Sequence, residues 1–211
     1  FSYELFHLSN LLDISLVRVF LALSFIWFFV YLNIRGIKAY ENLLIPMVII
    51  IFLLGSIVIL SPFFYDVSDF VYALKEKTGE IHNMKVKSEF EWYSFFSAVA
   101  ILFSSFIGFD AIAQTGSESL RPKKNLPLAI LISILGVGLF YFLFTASVYK
   151  IVPWSYISEQ AQLRDITAPG LLSYVIPSGI DSLIILGATI ALINDIPAML
   201  LSVSRLIFTW A

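Results

Sequence analysis

The 211-residue chain is 59% apolar and 13% charged, with a formal net charge of −2 and a mean hydropathy of +0.91. A soluble domain carries about 25% charged residues, and half that cannot cover a globular surface in water; 20 Phe, 10 Tyr and 4 Trp equally exclude a disordered chain. With 2 His and no Cys, thiolate zinc sites, disulfide frameworks, cysteine nucleophiles and iron–sulfur clusters fall away, and the charge gives no electrostatic case for nucleic acid.

What remains is an all-α, polytopic protein of the lipid bilayer. A helix crossing the hydrocarbon core needs about 20 mostly apolar residues, and five stretches qualify. The first is 15–33, with Arg18 near enough to its start to snorkel to the interface. The second, 43–61, is uncharged; Pro46 and Gly55 read as kink and packing residues. The third, 92–113, carries Asp110; the fourth, 126–149, is uncharged and holds Gly136 and Gly138, which read as a close helix contact. The fifth, 179–207, carries Asp195. A transmembrane barrel would show ten-residue alternating segments instead of such unbroken runs.

The links 34–42 and 117–125 are short and basic, with Arg35, Lys38, Arg121, Lys123 and Lys124. Positive charge in short loops marks the cytoplasmic side, which places both links inside and the long segments 62–91 and 150–178 outside. In the first long segment a short amphipathic helix is expected over 67–77, ahead of Gly79; in the second, PWSYIS and TAPGLLSYVIP read as short interfacial helices broken by Pro153, Pro169 and Pro177. Trp92 and Trp154 sit where interfacial aromatics belong. The chain begins at Phe1 and stops at Trp210-Ala211 after an apolar run, without a basic leader or cleavage site, and is expected to be a piece of a longer polytopic protein.

Chemistry concentrates in two places. Ser104, Ser105, Gly108 and Asp110 interrupt the third span with two hydroxyls, a glycine and a carboxylate. Gly weakens a helix interior by roughly 1 kcal/mol relative to Ala, and Ser competes for the backbone's own hydrogen bonds. An unwound turn at membrane depth is tolerated only where backbone lines a cavity, so one reading is a discontinuous helix at a substrate site. The other is a small-residue packing face, with Asp110 at the cytoplasmic end. In the fifth span, Asp195 follows Asn194 and precedes Pro197. An acid at that depth costs about 2.5–3.5 kcal/mol on insertion scales and is expected to face the protein interior. Pro197 cannot donate to the Ile193 carbonyl, leaving an acceptor within a turn of Asp195. Asn194, Asp195 and that carbonyl can together bind Na⁺; Asp195 alone can take and release a proton; or it is a hydrogen-bonded strut between helices. Gly116-Ser117-Glu118-Ser119 invites a hydrolase reading, but His7 and His82 lie in outer segments and supply no base. No covalent chemistry, metal or prosthetic group is expected.

The run Phe103-Ser104-Ser105-Phe106-Ile107-Gly108-Phe109-Asp110, continuing to Glu118, Pro122 and Leu126-Pro127, resembles the sixth helix and following loop of amino acid permeases of the amino acid–polyamine–organocation (APC) superfamily. Leu32-Asn33-Ile34-Arg35-Gly36-Ile37-Lys38 is similar to the turn between that family's fourth and fifth helices, and Gly187-Ala188 with Ser204-Arg205 to its eighth. Three motifs in order cover nearly the whole chain. The resemblance implies helices four to eight of about twelve in a five-plus-five inverted-repeat (LeuT-like) fold. It implies secondary transport of an amino acid or related amine across the cell membrane by alternating access. The substrate amino group would be held at the break over Phe103–Gly108, with Phe103 or Phe106 as a gating aromatic.

The family's acidic pair appears here as Ser117-Glu118, and Arg121 stands where an Asn is usual. The lysine that many sodium-independent members carry in their fifth helix is absent from 42–62. Asp195, Asn194 and Asp110 are the candidates for coupling to H⁺ or Na⁺. The alternatives are an ion-independent exchanger and a transporter-derived sensor or assembly subunit. Asp110, near the cytoplasmic end, is the one charged side chain in 103–110, which leans towards a neutral or apolar amino acid; a cationic substrate would need an acid supplied from another helix.

Overall fold

The computed structural model describes residues 12, 14–79, 90–106, 108, 112, 121–163 and 166–210. Within them the chain forms α1 (Ser15–Ile34), α2 (Ile37–Leu60), α3 (Val67–Thr78), α4 (Trp92–Phe103), α5 (Pro122–Ile151), α6 (Trp154–Leu163), α7 (Ala168–Leu172) and α8 (Ile180–Trp210), with 3-10 turns at Ser61–Phe63 and Ser104–Phe106 and no strand. Four stretches are long and apolar enough to cross a membrane: Ser15–Ile34, Lys38–Phe63, Pro122–Ile151 and Ile180–Ile207. These match four of the five expected spans, and the chain is a multi-pass membrane protein. The remaining span is seen as the shorter apolar helix Trp92–Phe106; 107, 109–111 and 113 lie outside the described residues.

Both short basic links shrink. Only Arg35 and Gly36 separate α1 from α2, so Lys38 is helical. Pro122 opens α5 directly after Arg121, which takes Lys123 and Lys124 into the first turn. Proline suits that position because its missing N–H has no partner to lose there.

The helices divide between two compact units. One holds α1, α2 as far as Ile51 and α8 from Thr189 onward; the other is Phe52–Ala188.

The second unit contains the packed core. Phe70 and Leu74 of α3, Tyr156 of α6, Leu172 of α7 and Ile176 lie buried against Val58, Val148, Ile151, Val152 and Ile184 from the ends of α2, α5 and α8. Edge-on ring contacts join Phe70 to Tyr156 at 5.3 Å and to Tyr174 at 5.8 Å. Each fully buried Phe or Leu contributes about 1.5–3 kcal/mol where water is the alternative. The amphipathic helix of the first long segment and the short helices of the second thus pack together as a joint cap. Its α3 spans the expected range plus one residue. Pro169 does not break the second segment but lies in the first turn of α7, which Thr167 caps by accepting the Gly170 N–H at 3.3 Å. Two polar ties close the cap. Lys77 Nζ donates to the Ser173 and Tyr174 carbonyls at 3.1 and 3.0 Å, and the Ser147 hydroxyl donates across from α5 to the Ile59 carbonyl at 3.2 Å. Trp92 and Trp154 are exposed, as interfacial aromatics should be.

Within this unit α2 meets both its neighbours closely. Gly55 leaves no room for a Cβ because the Phe140 ring of α5 already occupies that place. A Cβ on Gly187 of α8 would stand 2.8 Å from the Leu54 Cβ, which is fixed to its backbone and cannot rotate away. Gly187→Val should therefore force α2 and α8 apart, at an overpacking cost of about 1–3 kcal/mol. The expected result is a lower thermal midpoint for the purified protein in detergent. Gly136→Ala, with no atom within 4 Å of the new carbon, should leave the midpoint unchanged.

The start of α3 carries a pH dependence. Asp66 accepts from the Ser68 hydroxyl and from the Asp69 and Ser68 amides, while its own N–H donates to Asp69 Oδ2 at 2.9 Å. These bonds, the Ser68 hydroxyl foremost, hold the Asp66 carboxyl below its ordinary value. A lowered acid stabilises the fold at pH values above its unfolded value, about 3.9, and that contribution fades as pH falls through the lower folded value. Hydrogen exchange at the Ser68 and Asp69 amides should accordingly lose protection below the ordinary carboxylate range. In Asp66→Asn, which cannot titrate, protection should no longer depend on pH there.

Candidate substrate site

Helix α4 ends because its own side chains compete with its backbone. The Ser104 hydroxyl donates to the Ile101 carbonyl at 2.6 Å, a bond that favours a tightened turn over continued α-helix. The chain passes into the 3-10 turn Ser104–Phe106 and reaches Gly108 with φ at +118°. An L side chain rarely adopts that conformation, so the helix cannot run through this point unchanged. Phe103, Ser104, Ser105 and Gly108 are exposed and Phe106 is half-buried. Ile107 and Asp110, the other two expected members of the broken segment, lie outside the described residues.

The break is held from α5. The Tyr141 hydroxyl donates to the Ser105 carbonyl at 3.3 Å, and its ring meets Phe106 edge-on with centroids 5.6 Å apart. One turn earlier, Gly138 faces the same ring, where an added Cβ would lie 3.6 Å away. The close contact expected at Gly136 and Gly138 is thus made by Gly138, with Phe106 as its partner. Tyr141 was not among the residues singled out from sequence. Its signal is a hydroxyl in the middle of an apolar span, which needs a hydrogen-bond partner when removed from water.

The second candidate cluster lies in α8, within the other unit. Asn194 buries its Oδ1 without a hydrogen-bond partner, and Pro197 is fully buried. Asp195 is exposed. The expected inward-facing carboxylate is therefore replaced, within this chain, by an inward-facing amide: successive helix positions differ by about 100°, so both side chains cannot face the same way. Pro197 leaves the Ile193 carbonyl without its usual helical donor. The other buried polar atom without a partner among the described residues, the Tyr40 hydroxyl, belongs to the same unit. Phe103–Gly108 and Asn194–Asp195 thus stand in separate units, each with its own geometry.

The family model for amino acid permeases matches residues 1–211. The chain belongs to the amino acid permease family. Among curated relatives, the branched-chain amino acid permease BcaP of Bacillus subtilis is 24% identical over 196 residues, covering 90% of this chain and 36% of the relative. The vacuolar cationic amino acid transporter 2 of Arabidopsis thaliana is 26% identical over 116 residues, 55% of this chain and 18% of the relative. Human cationic amino acid transporter 4 is 33% identical over 69 residues, 33% of this chain and 11% of the relative. The chain thus spans about a third or less of the length of these relatives. No solved structure matches it at comparable significance.

Gly108 supplies a direct test of the break. Since nothing lies within 4 Å of a Cβ built there, Gly108→Ala costs only the backbone conformation, roughly 1–2 kcal/mol by the left-handed penalty. The expected outcome is a modest fall in thermal midpoint, with faster hydrogen exchange confined to the peptide spanning residues 101–108.

Proposed function

We propose that this chain is part of a secondary transporter that moves an amino acid across the cell membrane by alternating access, with the basic turns at 34–42 and 117–125 on the cytoplasmic side. Half a dozen residues, Phe103 to Gly108, form the place where the substrate amino group binds. The observation that carries the reading is the broken helix itself. Unwinding frees backbone carbonyls at membrane depth, and an ammonium group with its N–H donors is a natural partner for them. Membership of the amino acid permease family supports the same assignment. No covalent step is required, so the protein acts as a carrier and not as an enzyme.

The substrate proposed is an apolar amino acid. The walls of the break are Phe103 and Phe106, no side chain of 103–108 is charged, and the relative matched over 90% of the chain is named for branched-chain amino acids. Coupling to H⁺ or Na⁺ is assigned to Asn194 and Asp195, with Asp110 as a further acid. Asn194 Oδ1 is buried without a partner, and Pro197 denies the Ile193 carbonyl its helical donor, which supports a role for this turn in cation coupling. An exposed carboxylate facing hydrocarbon costs about 2.5–3.5 kcal/mol, which favours its engagement by an ion, a proton or a covering helix. In a protein of the relatives' full length, helices beyond these 211 residues are available to cover it.

Uptake by the intact protein in proteoliposomes tests the assignment. Labelled leucine is expected to accumulate under an inward proton or sodium gradient, with labelled lysine transported poorly. Asp195→Asn is expected to abolish the gradient dependence while leaving exchange against internal leucine. Uptake needing only internal counter-substrate, in both proteins, would instead make it an ion-independent exchanger and Asp195 a structural residue. Binding of leucine without any uptake would turn the reading to a sensor.

A further inference from the structure

We propose that Tyr141 is a positioning residue for the substrate site: its hydroxyl fixes the Ser105 carbonyl, and its ring together with Gly138 seats Phe106. The inference rests on the reading of Phe103–Gly108 as the amino-group site. Between Ser133 and Thr145 every side chain of α5 other than Tyr141 is apolar or absent. Tyr141 is therefore the one hydrogen-bond donor that this stretch of α5 offers to the broken segment. A phenol hydroxyl in an apolar setting needs an acceptor, and the Ser105 carbonyl supplies it.

The geometry assigns Tyr141 to the site and not merely to packing. A carbonyl oxygen has two lone pairs. With one engaged by Tyr141, the carbonyl is held in a fixed direction, which sets where an ammonium N–H can approach it. Gly138 lies one turn before Tyr141 on the same face of α5, where a Cβ would just touch the Phe106 ring at 3.6 Å and a branched side chain would press on it. Bond and ring contact act on adjacent residues, Ser105 and Phe106, and so pin the turn at its centre. Without the hydroxyl the Ser105 carbonyl loses its fixed direction, and the substrate must order the segment as it binds. That cost falls on binding, hence on KM, more than on kcat.

The experiment compares uptake of labelled leucine by the intact protein in proteoliposomes for the unmodified sequence, Tyr141→Phe, Gly138→Val and Tyr149→Phe. Tyr141→Phe keeps the ring and removes the donor; its KM should rise by between about two- and tenfold, with kcat and thermal midpoint little changed. Gly138→Val displaces the Phe106 ring while leaving Tyr141 in place, and should raise KM in the same way, so the test survives a Tyr141→Phe protein that fails to assemble. Tyr149→Phe, exposed near the end of the same helix, should match the unmodified protein. Unchanged KM in both Tyr141→Phe and Gly138→Val, or a loss confined to kcat and thermal midpoint, overturns the positioning role while the transport reading stands. Absence of uptake by the unmodified protein overturns the transport reading, and this inference falls with it.

Discussion

Hydrocarbon offers a peptide group no hydrogen-bond partner, and the arrangement of this protein follows from that constraint. Long helices such as α2 and α5 meet it almost entirely within their own ladders, each interrupted by one internal proline, Pro46 and Pro127. The constraint becomes informative where a ladder fails. After Phe103 the Ser104 hydroxyl takes the Ile101 carbonyl, the backbone tightens, and Gly108 turns into a conformation closed to other residues. Within this turn a tyrosine on α5 donates to the Ser105 carbonyl. A candidate site at this point is thus a consequence of backbone chemistry before it is a matter of side-chain identity.

The distribution of burial has a different cause. Large apolar side chains cover the outside of the span-length helices, because lipid tails are as apolar as leucine and give helices no hydrophobic reason to hide them. The opposite holds for α3, α6 and α7, whose apolar residues would otherwise meet water. Phe70, Leu74, Tyr156 and Leu172 are buried together with the ends of α2, α5 and α8. Lys77 ties this cap across nearly a hundred residues of sequence by donating to two carbonyls beyond α7. Contacts among the spans rely instead on close approach, with Gly55 against Phe140 and Gly187 against Leu54, which is how helices gain dispersion energy when solvent exclusion contributes little.

Helix α8 shows how neighbouring polar residues divide their roles. Asn194 and Asp195 form one polar pair in sequence, yet the helix turns only one of them inward. The buried amide oxygen is a neutral acceptor, and the exposed acid next in sequence carries the charge.

Much of this protein was legible in its residues alone. The all-α class, the four long spans, the amphipathic helix ahead of Gly79 and the break after Phe103 follow from local causes: unbroken apolar length, a 3.6-residue pattern, and Ser and Gly within one turn. Family membership was legible as well, because its motifs are short, ordered and local. Tertiary structure alone decided the rest. That the two long connecting segments share one core depends on Phe70 meeting Tyr156 and Tyr174, partners more than 80 residues away, which no local pattern encodes. That Asn194 and not Asp195 turns inward depends on the rotation of α8 against its surroundings, and polarity alone does not set a helix's rotation. Tyr141 became part of the candidate site for the same reason: its hydroxyl needed some partner, and only the packing of α5 beside the break named the Ser105 carbonyl.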